Sequence, residues 1–127
     1  MGYEQKLIII RKFYMGVRHG EVEYYNQIIA YYDIAKLHHE FDLSIFDKKL
    51  DGGICVPFVD NDIIINEDRY GKELKYCTLD KLIKELNKCE KISHYRRIPP
   101  LIAMLKEFKK LVKNNEFENI FVVNYGY

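Results

Sequence analysis

The sequence is short of the features that announce a specialised chain. No apolar run approaches the roughly 20 residues that a helix needs to cross a bilayer. The run Leu7 to Ile10 has the length of a strand segment. The opening Met1-Gly2-Tyr3-Glu4-Gln5-Lys6 has no apolar core of the kind a signal peptide carries. Gly2 does not complete a myristoylation motif, because Lys6 stands where Ser or Thr is required. These absences predict a cytoplasmic protein with no membrane partner. Cysteine is scarce. Cys55, Cys77 and Cys89 are an odd number with no C-x-x-C spacing, which argues against a disulfide framework and suits a reducing compartment. They read as small buried apolar residues. No glycine-rich phosphate loop is present, since Gly52-Gly53 stands outside any Walker or dinucleotide pattern, and there is no Gly-x-Ser-x-Gly elbow.

What is present is a globular composition. The 127 residues, 48% hydrophobic and 31% charged, suit a single domain over residues 1–127 with one core. The net charge of +1 conceals a segregation. Leu79 to Lys113 holds ten basic residues against four acidic, net +6; the remainder holds ten against fifteen, net −5. One half of the molecule should therefore attract anions. The plainer reading is that helices carry lysine on their solvated faces.

Hydrophobic patterning divides the chain into strands followed by helices. Gln5 to Phe13 and Gln27 to Leu37 read as strands, although Ile28, Tyr31, Tyr32 and Ala35 also fit helical spacing. Asp51-Gly52-Gly53 marks a turn. Ile54 to Val59 follows as a strand, with Pro57 favouring an edge position. Asp60-Asn61-Asp62 turns the chain into Ile63-Ile64-Ile65, a hairpin. Glu73 to Cys77 reads as a short strand. Thr78 is a suitable N-cap, because its hydroxyl accepts from free N–H groups of the first turn. Leu79, Leu82, Ile83 and Leu86 then form one helical stripe, which should end near Cys89. Pro99-Pro100 opens a second helix, where a missing N–H costs little. Its apolar face is Leu101, Met104, Leu105, Phe108, Leu111 and Val112, and Asn114-Asn115 ends it. Ile120 to Tyr125 is a final strand. The order predicts an α+β fold: a largely antiparallel sheet with two helices packed on one face and a C-terminal strand. Such a sheet leaves its other face open. Tyr24, Tyr25, Tyr31 and Tyr32 then form either an exposed aromatic platform or an ordinary core with hydroxyls at the rim.

Few residue groups point to chemistry. Asp60, Asp62, Glu67 and Asp68 offer hard oxygens to a divalent cation, but the glycine and closing glutamate of an EF-hand are missing, and such carboxylates commonly shape turns. Asp60 or Asp62 with Glu73-Leu74-Lys75 resembles the core of a Mg²⁺-dependent nuclease, without the flanking helix such cores need. His38-His39 with Glu40 and Asp42 lacks a second ligand pair at zinc spacing, and His19 and His94 stand alone. Cys77 and Cys89 have no histidine or acid arranged as a catalytic pair. Neither a metal nor a cofactor is expected, and neither is an enzyme. The better candidate is His94-Tyr95-Arg96-Arg97 ahead of Pro99-Pro100. Arg96 and Arg97 offer planar forks to phosphate, the helix start adds N–H groups, and Tyr95 offers a stacking face. Alternatively, the two arginines pair with acids of the other half and fix the loop. Arg69-Tyr70, followed by Gly71, is a second arginine–aromatic pair or a structural turn.

At four places the chain resembles small phage proteins: Met1-Gly2-Tyr3-Glu4, Glu67-Asp68-Arg69-Tyr70-Gly71, Tyr95-Arg96-Arg97 before a proline-led helix, and Tyr125-Gly126-Tyr127. An N-terminal sheet with two later helices is similar in layout to phage Thoeris anti-defence proteins of the signal-sponge type. That family binds cyclic ADP-ribose isomers made by host TIR-domain enzymes, without cleavage, in pockets at oligomer interfaces. The resemblance implies a homo-oligomer that sequesters a nucleotide signal in the cytoplasm of an infected bacterium. It does not place the family's binding residues; Arg69, Tyr70, Tyr95, Arg96 and Arg97 are chosen on chemistry. The competing expectations are an inhibitor of a host defence protein, such as an anti-CRISPR protein, and the Mg²⁺-dependent nuclease.

Overall fold

A computed structural model describes residues 5–35, 42–56, 63–92, 98–113 and 120–126. Seven strands and two helices follow in chain order: β1 (Gln5–Arg18), β2 (Glu21–Ala35), a 3₁₀ turn (Leu43–Ile45), β3 (Lys48–Lys49), β4 (Ile54–Val56), β5 (Ile63–Ile65), β6 (Lys75–Thr78), α1 (Leu79–Ile92), α2 (Ile98–Lys113) and β7 (Ile120–Gly126). The strands form one sheet in the order β3-β6-β7-β1-β2-β4-β5. Only β2 and β4 pair in parallel, through Gln27 and Cys55; the other pairs are antiparallel. This is the α+β architecture that the patterning predicts, with the C-terminal strand seated between β1 and β6. No helix of the described residues is long and apolar enough to cross a membrane.

The first two strands are longer than the apolar pattern suggests. β1 runs past Phe13 to Arg18, and β2 starts at Glu21 rather than Gln27. They are joined by the two-residue turn His19-Gly20, with φ of 53° and 80°. Two positive φ values in succession match the right-handed twist of the strands they connect. Ile28 to Ala35 is strand throughout, so the helical alternative for that stretch is excluded.

Leu7 to Ile10 are consecutive and all buried, because β1 is covered on both faces. Leu7 and Ile9 pack with Leu82, Leu86, Leu101 and Leu105 of the helices and with Ile120 and Val122 of β7. Each fully buried leucine contributes about 1.5–3 kcal/mol relative to exposure. Thr78 caps α1 as expected, its Oγ1 accepting from the Lys81 N–H at 3.3 Å. The helix continues past Cys89 to Ile92. α2 has Pro99 and Pro100 in its first turn, where an N–H would have no intrahelical partner and its absence costs little. Asn114 and Asn115, the expected terminators, lie outside the described residues.

The second face departs from expectation. Ile8, Ile10 and Val123 point away from the helices and are buried with Leu50, Ile54 and Leu74. That face is therefore not open. The reason lies in the connections. β5 is at one end of the strand order and β6 near the other, yet residues 66–74 join them directly. The Leu74 N–H donates to the Asn66 carbonyl at 3.3 Å, and the Leu50 N–H donates to the Leu74 carbonyl at 3.0 Å. This connection runs from one end of the strand order toward the other, and Leu50 and Leu74 from the connecting segments pack with Ile8, Ile10 and Val123. β4, expected at an edge, lies between β2 and β5, and Pro57 lies outside the described residues. The tyrosines divide: Tyr32 packs toward the helices, Tyr31 is exposed, and the side chains of Tyr24 and Tyr25 are outside the described set.

Candidate functional site

Residues 66–74 form a tight antiparallel excursion, with Glu67 bridged to Glu73 across its base. Asp68 shapes its tip. One carboxylate oxygen, Oδ1, accepts from the N–H of Tyr70 at 2.8 Å and from that of Lys72 at 3.0 Å. The backbone closes the same turn through Asp68 N–H to the Lys72 carbonyl and Gly71 N–H to the Asp68 carbonyl. Gly71 adopts φ of 76°, which a side chain disfavours. The Arg69 N–H donates to the Gly126 carbonyl at 3.1 Å, tying the tip to the end of β7. The side chains of Arg69 and Tyr70 are thus presented outward from a backbone held at several points. Tyr70 is 51% exposed.

Asp68 and Lys72 of this turn line a groove of about 850 Å³. Its other walls come from residues 43–47, from Glu73 and Lys75, and from Asn124 of β7. Leu74 points inward and is fully buried, so its neighbours Glu73 and Lys75 fall on the groove side by strand alternation. The carboxylates of the groove are engaged. Glu73 pairs with Lys49 at 2.8 Å, and Asp47 with Lys81 at 3.1 Å. Hydrogen bonding from Lys81 holds the Asp47 carboxyl below its ordinary range, and the bond to Glu73 raises the Lys49 ammonium above its own. Lys75 has no ion pair among the described residues. Asn124 Oδ1 is buried without a hydrogen-bond partner there.

Ser44, Ile45 and Asp47 also bound a second groove, of about 810 Å³, whose far wall is α1 with Lys81, Lys84 and Lys88. A buried carboxylate anchors this wall. Glu85 Oε1 accepts from the Asp42 N–H at 2.8 Å and from Lys88 Nζ at 3.1 Å. Asp42 in turn accepts from Ser44, and those bonds lower its carboxyl pKa.

Of the residues singled out from sequence, Arg69 and Tyr70 sit together at the tip of the turn whose Asp68 and Lys72 line the first groove, and neither lines the groove itself. Tyr95, Arg96 and Arg97 lie outside the described residues, as do Asp60, Asp62, His38, His39, Glu40 and His94. Asp68 is the turn former that the plainer reading expects. Glu73 is held by Lys49 rather than set against Lys75. Among the described residues no group of three or more His, Cys, Asp or Glu side chains gathers as metal ligands would. Cys77 and Cys89 are buried, and burial pushes the Cys77 thiol up to about 12. The groove itself was not legible from sequence, because its walls come from three separated segments. The one local signal for it was Asp68 with Gly71 three residues on, a turn that sets its neighbours outward.

No protein-family model, curated protein or solved structure matches this chain.

Proposed function

We propose that this chain is a binding protein that sequesters a phosphorylated nucleotide signal of the cyclic ADP-ribose kind, without cleaving it, and acts as a phage anti-defence protein in the cytoplasm of the infected bacterium. One observation supports this most: the arginine–tyrosine pair Arg69-Tyr70 is presented by a turn fixed through Asp68 Oδ1 and the Gly126 carbonyl, and Asp68 and Lys72 of the same turn line a nucleotide-sized groove. Arg69 supplies a planar fork to phosphate. Tyr70 supplies a face on which adenine stacks. Lys75 adds positive charge where the acids are already paired, and Asn124 Oδ1 accepts from an amino or hydroxyl group of the guest. Arg96, Arg97 and Tyr95 are assigned to the same anionic ligand on chemistry alone, within a homo-oligomer. The protein is incubated with lysate from cells whose TIR enzymes are active, desalted, heated, and the released small molecules are weighed by mass spectrometry. An intact cyclic nucleotide retained by the wild type and lost by Arg69→Ala supports the proposal. Retention of none, or of a cleaved product, defeats it.

A second reading rests on a different observation. Ile63 and Ile64 are exposed on β5, which ends the strand order and pairs on one side only among the described residues. An apolar edge strand suits strand addition by another protein. Capture of one host defence protein, abolished by Ile64→Lys, would favour that reading over the first.

A further inference from the structure

We infer that a second pocket, on the side of the sheet away from the helices, is a binding site for a small planar aromatic ring. It encloses about 250 Å³ between β1, β2, β4, β5 and β7. Its walls are aliphatic: Ile8, Ile28, Ile54, Val56 and Ile65. Ile8 and Ile54 are buried and the other three half-buried, all within the second core cluster, so the floor of the pocket is continuous with the core. At the rim stand Tyr31, Tyr125 and Lys6.

The chemistry of the walls selects the occupant. An aliphatic lining offers a phosphate or a sugar no hydrogen bond, and burying either there would cost several kcal/mol. Water gains little for the same reason, since it needs two or more polar partners. Aliphatic cavities of roughly 150 Å³ are known to stay dry and take up benzene. The larger space here admits a ring or two fused rings but not an extended lipid chain or a peptide helix. The rim then favours an aromatic guest over an aliphatic one. Tyr31 is 64% exposed although its neighbours in β2 are half-buried, and the Lys6 ammonium sits 4.9 Å from the centre of its ring. A cation held against one π face is placed to meet a second π system entering beside it. The hydroxyls of Tyr31 and Tyr125 provide polar contacts for ring nitrogens or substituents. The site uses no residue of the Arg69-Tyr70 groove and does not depend on the proposal above.

The test is NMR of protein labelled at isoleucine δ1-methyls, titrated with indole and, separately, with adenine. Saturable shifts of Ile8, Ile28, Ile54 and Ile65 by either compound are expected, with methyls of the helix-side core unmoved. Val56→Phe, whose added ring fills the cavity, should abolish the shifts. Tyr31→Ala, at an exposed position that leaves the core intact, should weaken binding about two- to tenfold. Arg69→Ala should leave the shifts unchanged, which separates failure of this site from failure of the groove. No shift at these four methyls with either compound overturns the inference, and so do shifts that persist unaltered in both Val56→Phe and Tyr31→Ala.

Discussion

The buried side-chain amide of Asn26 donates to the Gly53 carbonyl at 2.7 Å, linking the middle of β2 to the turn before β4. The same Nδ2 donates to the Asp51 carbonyl at 3.0 Å. One side chain therefore satisfies two backbone acceptors in the turn that leads into β4. Asn26→Ala leaves those carbonyls without their donor and should destabilise the protein by about 1–3 kcal/mol. The midpoint of urea unfolding measures it. A loss within experimental error would mean that solvent replaces the amide without cost.

The adjacent glycines should respond unequally. Gly52 and Gly53 both adopt positive φ, 80° and 63°. A Cβ on Gly52 meets nothing within 4 Å, whereas on Gly53 it would lie 2.5 Å from the Ile65 carbonyl oxygen and 2.5 Å from Asn66 Oδ1. Gly52→Ala should cost about 1–2 kcal/mol, the left-handed backbone alone. Gly53→Ala should cost distinctly more, because the β4–β5 hairpin must also move. Equal losses would contradict the close approach of Gly53 to Ile65 and Asn66.

Acid should weaken the contact between β3 and α1. The Asp47 carboxyl, hydrogen-bonded by Lys81, titrates below its ordinary 3.8. Its folded-state pKa is the lower of the two, so the folded state binds the proton less readily than the unfolded chain. The stabilisation is fully present above that ordinary value and is lost as pH falls through the folded one. Asp47→Asn should therefore unfold earlier than the wild type near neutral pH and together with it in strong acid. The pair is solvent-exposed, so the difference should shrink in high salt. Urea midpoints across pH report it.

The helices were the most legible part of the sequence. Thr78 as cap, the stripe Leu79, Leu82 and Leu86, and the Pro99-Pro100 start all rest on interactions within a few residues, and local pattern carries them. The long first hairpin was legible only in part. His19-Gly20 makes the turn usually signalled by Asn-Gly, and polar residues from Glu21 to Gln27 interrupt the apolar alternation. The covering of the second face was not legible. It depends on Leu50 and Leu74 meeting from segments that look like plain connections, and on Asn26 reaching a turn 27 positions away. The site followed the same division. Asp68 with Gly71 announces a turn that presents Arg69 and Tyr70, while the groove that Asp68 also lines is assembled by tertiary contacts among residues 43–47, 68–75 and 124.

The most direct measurement is calorimetric titration of cyclic ADP-ribose isomers into the wild type, Arg69→Ala and Tyr70→Ala, with thermal unfolding of each recorded alongside. Both residues are exposed, so the variants should melt with the wild type. The wild type should bind at least one isomer saturably and return it intact, and each substitution should weaken binding about tenfold or more. Absence of binding to the wild type, or wild-type affinity in both variants, would contradict a nucleotide site at this turn.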